Sequence, residues 1–289
     1  MGSIPAGCRD FMQRPLAIRT AIGSAVMLIL CAAGYWVFVT TVWGQEFDNA
    51  AFFGRDVQSR AVQAMDSAVL GRVTNGFVAA GAAVLLVVAL VRRRGLSGFA
   101  AVVGVALAVG GAEVLKETLP RGELVVPEGI EPGYFKADTY PSGHTSVGTS
   151  LALAAVLVAG ARWRIGVAVG AAVVSVVYGT GVFFMGWHRP SDAVGGILWS
   201  GFCLGLVVSV VAALKGNPRA FVFRGAAAPV LVVLCAGMVA AMVWVAAGFL
   251  DESGPDFDFP YFAMTTLIVA AAFGVAGWLG FALDGVEEI

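Results

Sequence analysis

Apolar runs about as long as a bilayer is thick recur along this chain, near 20–43, 70–91, 98–115, 145–161, 165–185, 192–214, 227–250 and 262–282. A helix needs about 18–20 apolar residues to cross the hydrocarbon core. The composition agrees, since 59% of the 289 residues are hydrophobic and only 13% are charged. A water-soluble domain of this length would need far more polar surface to cover itself. The expected fold is therefore all-α, a polytopic transmembrane helical bundle of about eight spans. Gly and Ala are frequent inside the runs, as at Gly179, Gly181, Gly195, Gly196, Gly201 and Gly205. Small residues let membrane helices approach closely, which favours a compact bundle.

Arg9, Arg14 and Arg19 precede the first run, which extends from about Ala21 to Val42. The apolar part of a cleaved signal peptide is shorter, about 7–15 residues, so this run is read as a retained first span. The next basic clusters are Arg92, Arg93 and Arg94, then Arg162 and Arg164, then Lys215, Arg219 and Arg224. If every run crosses, all of them share one side with the N-terminal tail. The excess of Lys and Arg in cytoplasmic loops makes that side the cytoplasm. Both termini are then cytoplasmic in a multi-pass cell-membrane protein. The segment Gln45–Met65 mixes Phe47, Phe52, Phe53 and Val57 with charges, which suits a short interfacial helix or a lid. Trp36, Trp43, Trp163 and Trp187 fall near span ends, where aromatic belts form.

The net charge is −1, and no basic tract argues for nucleic acid. Cys8, Cys31, Cys203 and Cys235 form neither a disulfide framework nor a metal-ligand cluster. The chain has two histidines. Both fall in polar segments that the topology puts on the outer side. These segments are Lys116-Glu-Thr-Leu-Pro-Arg121, Tyr140-Pro-Ser-Gly-His-Thr145 and Gly186-Trp-His-Arg-Pro-Ser-Asp192.

Those residue types suit phosphoryl transfer. Negative charge spread over phosphate oxygens must be met by fixed cations and N–H donors. Lys116 and Arg121 supply cations. Ser142, Gly143 and His144 open a helix, whose N-terminus is an anion site. His188 and Asp192 stand four apart, so the carboxylate can hold the imidazole in one tautomer and make it the better nucleophile. His144 is left as the proton donor. Asp192 also suits a helix cap, and Lys116 at a span end can snorkel. Two roles are open for Glu113, one turn before Lys116. It is either a functional ionisable group inside a span or the partner of an ion pair with Lys116.

Pro141-Ser142-Gly143-His144 followed by His188-x-x-x-Asp192 resembles the type 2 phosphatidic acid phosphatase (PAP2) superfamily. The likeness extends from about Lys116 to Gly196. It implies that His188 is a nucleophile forming a phosphohistidine, that Asp192 orients it and that His144 is the general acid. It also implies phosphate binding by Lys116, Arg121, Ser142 and Gly143, with no cofactor and no metal. Two departures stand out. Four residues separate Lys116 from Arg121 where the family has six, and Glu123 occupies the place of the family's Arg. The family's further Arg, six residues before the nucleophile, corresponds here to Val182. Arg189 is the candidate substitute, although neighbouring helical side chains diverge by about 100°.

The expected organisation is a single membrane domain over 1–289, with a catalytic core at 98–214 and two additional C-terminal spans within 227–282. The expected function is a phosphatase of a lipid phosphate or diphosphate, working at the outer face among membrane lipids. The alternatives are a head-group or phosphoryl transferase of the same superfamily and a non-catalytic lipid-binding or transport protein.

Overall fold

The computed structural model describes residues 16–54, 70, 71, 73–119, 125, 126, 139–215 and 258–286. Among them every regular element is a helix. These are α1 (Leu16–Tyr35), α2 (Val42–Gly54), α3 (Asn75–Val91), α4 (Gly95–Thr118), α5 (Gly143–Val158), α6 (Arg164–Phe184), α7 (Pro190–Lys215) and α8 (Asp258–Ala282). Five helical stretches have the length and apolarity to cross a membrane: Leu16–Thr40, Gly95–Thr118, Arg164–Phe184, Pro190–Lys215 and Phe259–Ala282. The apolar helices α3 and α5 are shorter. The expected run at 227–250 lies outside the described residues.

The first expected span ends differently from its sequence reading. α1 runs into a π-helical turn at Trp36–Thr40, and Thr41 then adopts an extended conformation (φ −96°, ψ 142°). Thr41 Oγ1 donates to Val37 O at 2.6 Å and accepts from Gly44 N at 3.0 Å. The hydroxyl thus closes one helix and caps the next. α2 buries Gln45, Asp48, Asn49 and Phe52 while Val42, Trp43 and Glu46 face outward. The buried set has the i, i+3, i+4, i+7 spacing of one helix face, and much of that face is polar. Phe47 packs edge-on against Phe259 with centroids 6.2 Å apart, which docks α2 on the start of α8.

α7 is the axis of the bundle. It packs against α1, α4, α5, α6 and α8, and it touches α2 at its N-terminus. Lipid tails are as apolar as side chains, so close packing must hold such helices together. Position 196 illustrates how close this is. A Cβ there would lie 2.8 Å from Ser142 O and 3.0 Å from Thr145 Cβ. Glycine is therefore required where α7 crosses the start of α5.

The two ends of the bundle differ in charge. At one end Arg164, 2% exposed, donates to the carbonyls of Leu283, Val286 and Ala159. Arg94 also reaches Ala159 O, at 3.1 Å. The C-terminus of α4, the N-termini of α5 and α7 and the C-terminus of α6 meet at the other end. The latter is where His144 and His188 lie.

Gly196→Ala should destabilise the protein by about 1–3 kcal/mol, the range for overpacking a close contact. Gly170 has no atom within 4 Å of a built Cβ, so Gly170→Ala should cause no loss. Thermal unfolding in detergent checks the pair. Equal melting temperatures would contradict the close approach at 196.

Candidate functional site

His188 is delivered by the way α6 ends. Gly186 has φ 68°, the left-handed conformation that glycine adopts without strain. Gly186 N donates to Phe183 O at 2.9 Å and Trp187 N to Val182 O at 3.0 Å. These paired bonds form a Schellman stop. His188 N also donates to Val182 O, at 3.1 Å. Residue 182 thus supports the nucleophile candidate through its carbonyl. Its side chain is fully buried in the apolar core, where a cation would have no water. This is the structural setting of the missing arginine.

Pro190 then opens α7. It suits the first helical position because that residue's N–H would be unpaired anyway. Asp192, fully buried, accepts from Arg189 N at 3.1 Å through Oδ2. The same oxygen lies 3.5 Å from His188 Nδ1. Asp192 therefore both caps the helix, as in half of a capping box, and faces the imidazole. At 3.5 Å the second contact is an ion-pair distance, and His188 Nδ1 makes no hydrogen bond among the described residues. Catalytic hydrogen bonds are often long before substrate binds.

Ser142 caps α5 by accepting from Thr145 N at 3.3 Å. Ser142 N donates to Asp192 O at 2.8 Å, which ties the two helix starts together. The rings of His144 and His188 are 6.4 Å apart, centroid to centroid. At that separation both imidazoles can reach one phosphate group, one toward phosphorus and the other toward an oxygen on it. Trp187 packs on the His144 ring with centroids 5.2 Å apart.

Lys116 reaches the same place from α4. A Cβ at Gly143 would lie 2.8 Å from Lys116 Nζ and 2.6 Å from Glu113 Oε1. The two side chains pair with each other at 2.8 Å, so Glu113 is an ion-pair partner located within the site. His144 precedes the apolar segment of its helix. Its pKa lies below the ordinary imidazole value, mainly from burial and then from the charges of His188 and Lys116; Glu113 opposes the shift.

The structure thus brings together His144, His188, Asp192, Ser142, Gly143 and Lys116. Arg121 lies outside the described residues. Arg189 follows His188 in the chain but turns to α2. It is 3% exposed, and its Nε donates to Asn49 Oδ1 at 2.8 Å. Among the described residues no three His, Cys, Asp or Glu side chains converge as a metal site. Sequence reasoning missed Asp48 and Asn49. Asp48 accepts from Ser191 N at 3.1 Å and from Ser191 Oγ at 2.5 Å. The available signal was the polar stripe Gln45, Asp48 and Asn49, spaced as one helix face among aromatic residues.

Residues 98–215 match the family model of the PAP2 superfamily, and the chain carries a PAP2 domain there. No curated protein and no solved structure matches the chain.

Glu113→Gln removes the one influence named above that raises the His144 pKa, so His144 should titrate at lower pH in the variant. Imidazole NMR titration measures this. The chain has two histidines, and His144→Ala identifies the signal. An unchanged or raised titration point would show that Glu113 does not act on His144.

Proposed function

We propose that this membrane protein, a PAP2 superfamily member through residues 98–215, is a phosphatase of a lipid phosphate or diphosphate that works through a phosphohistidine. The observation that carries the reading is the pair of imidazoles 6.4 Å apart, with Asp192 behind His188 and Lys116 beside the α5 N-terminus.

His188 attacks phosphorus through Nε2 while Asp192 faces its Nδ1. The bond from phosphorus to the lipid oxygen breaks, and His144 gives that oxygen a proton. Lys116 and the N–H groups at Gly143 and His144 meet the charge on the remaining oxygens. Water then attacks the phosphohistidine. His144 takes the proton from water, phosphate leaves, and His188 is free again. The charge that Lys116 and the helix ends offer is where phosphate affinity resides. Arg121 is assigned to the same role from its motif. Because Arg189 Nε is held by Asn49, its guanidinium contributes positive charge from behind the nucleophile.

The basic end of the bundle is assigned to the cytoplasm, which puts the site at the extracytoplasmic interface and within reach of a head group whose tails stay in lipid. If a lipid hydroxyl replaced water in the second step, the same residues would perform head-group or phosphoryl transfer.

The test is phosphate release in detergent from phosphatidic acid, phosphatidylglycerol phosphate and a polyprenyl diphosphate. Wild type should release phosphate from at least one of them. His188→Ala should lose at least about 10³-fold in kcat, as expected for removal of a covalent nucleophile. His144→Ala should lose about 10²–10⁴-fold, the range of general acid catalysis. Unchanged release by His188→Ala would sink the mechanism. Transfer of phosphate to an added lipid alcohol without release would make the enzyme a transferase, and inertness toward every lipid would favour a binding protein.

A further inference from the structure

The first turn of α7 carries the nucleophile's neighbours, yet its own cap residue is unsuited to the task. Helix starts leave backbone N–H groups without intrahelical acceptors. The residue before the helix usually meets this need with a Ser, Thr, Asp or Asn oxygen that accepts from the second or third helical N–H. Here that residue is Arg189, whose side chain has donors and no acceptor. Pro190 has no N–H to satisfy, and Asp192 N donates to Arg189 O at 3.1 Å. Ser191 N is left, and it is met from another helix by Asp48 Oδ1 at 3.1 Å. The second Asp48 oxygen takes the Ser191 hydroxyl at 2.5 Å.

The neighbouring residues of α2 extend this contact. Asn49 accepts from Arg189 Nε at 2.8 Å and donates Nδ2 to Val125 O at 2.8 Å. Gln45 Oε1 accepts from Val125 N at 3.1 Å. Asp48 is fully buried, and Asn49 and Gln45 nearly so. A buried carboxylate is tolerated where its hydrogen bonds and local charge are favourable, and a helix N-terminus supplies both. All three residues lie outside the 98–215 segment that matches the family.

We propose that Asp48 is a positioning residue, a helix cap lent by α2 that fixes the turn from His188 to Asp192 and so sets the alignment of the Asp192 carboxylate with the His188 ring. The inference rests on the reading of His188 as a nucleophile oriented by Asp192. Asp48 does not touch the reacting atoms. It acts through Ser191, whose backbone leads directly into Asp192.

The experiment compares full-length wild type, Asp48→Asn, Ser191→Ala and the double variant in detergent, using the lipid phosphate with the highest turnover in the panel above. Asp48→Asn keeps the shape and one acceptor oxygen but removes the charge. It should lower kcat by about 10–100-fold, the scale of a misplacement approaching 1 Å, with KM within about threefold. The double variant should be no worse than Asp48→Asn within about twofold, because the Ser191 hydroxyl acts only through the Asp48 carboxylate. A kcat within about twofold of wild type for Asp48→Asn would overturn the proposal. So would losses that multiply in the double variant, or a loss that vanishes when activity is scaled to folded protein. If Asp48→Asn does not fold, Asp48→Ser, too short to reach Ser191 N, decides alone: a fall in kcat of about tenfold or more at constant KM supports the role, and a kcat within about twofold of wild type refutes it. The underlying mechanism fails separately, since it is His188→Ala with wild-type turnover that would remove it.

Discussion

Two helices begin at the same point in this protein, and the hydrogen bond from Ser142 N to Asp192 O holds them there. Each start presents free N–H groups and the positive end of a helix dipole. Two such ends side by side are electrostatically unfavourable unless negative charge lies between or behind them. Asp192 and Asp48 supply it, both fully buried at the start of α7. Lys116, a cation, lies at the start of α5 beside Gly143, and Glu113 is the carboxylate that pairs with it. The arrangement favours a further anion in the space between the two starts, and a phosphate group has the charge and the acceptor oxygens to occupy it. In the proposed mechanism binding and chemistry share one cause, because the same junction places His144 on one helix and His188 just before the other.

That junction depends on how closely α5 and α7 approach. A side chain at Gly196 would push against Ser142 O, and one at Gly195 would meet the Tyr140 ring. Tyr140 is itself fixed, since its hydroxyl donates to Cys31 O at 2.7 Å on α1. Farther along α7, Gly201 lies against Met27 and Val275, and Gly205 against Ser24 and Trp278. One row of small residues therefore sets the depth of α7 against α5, α1 and α8 in turn. Loss of a glycine far from the histidines would be transmitted along a helix that cannot easily bend, because its neighbours are close-packed.

Much of this was legible in the sequence because its causes are local. Apolar length marked the helices, and Ser142, Pro190 and Gly186 mark helix starts and stops by their own backbone chemistry. His188 and Asp192 stand one helical turn apart, so their meeting needs no knowledge of the fold. Partners far apart in sequence were harder to foresee. Nothing near Asp48 announces Ser191, 143 positions away. Its burial depends on α2 folding back across the bundle after the break at Thr41. The same holds for Arg189. Its proximity to His188 in the chain suggested a phosphate ligand, but the direction of its side chain was decided by Asn49. Val182 is an intermediate case. The missing cation was visible, whereas the use of that residue's carbonyl to carry His188 required the geometry of the turn.

Support for the site extends outside the family segment on both sides. Tyr261 of α8 packs on Phe183 and Phe184 with centroids 5.5 and 6.0 Å away, directly before the turn that presents His188. α8 also carries Phe259 against Phe47 of α2, and α2 in turn holds Ser191 and Arg189. A single helix start thus supports the His188 turn from its α6 side directly and from its α7 side through α2. Held at both ends, the turn has little conformational freedom left to lose, which would favour the proposed attack by His188. Among the described residues, α2 and the start of α8 thus frame His188 from outside the matched core, while Leu16–Thr40 and Phe259–Ala282 also have the length and apolarity to cross a membrane.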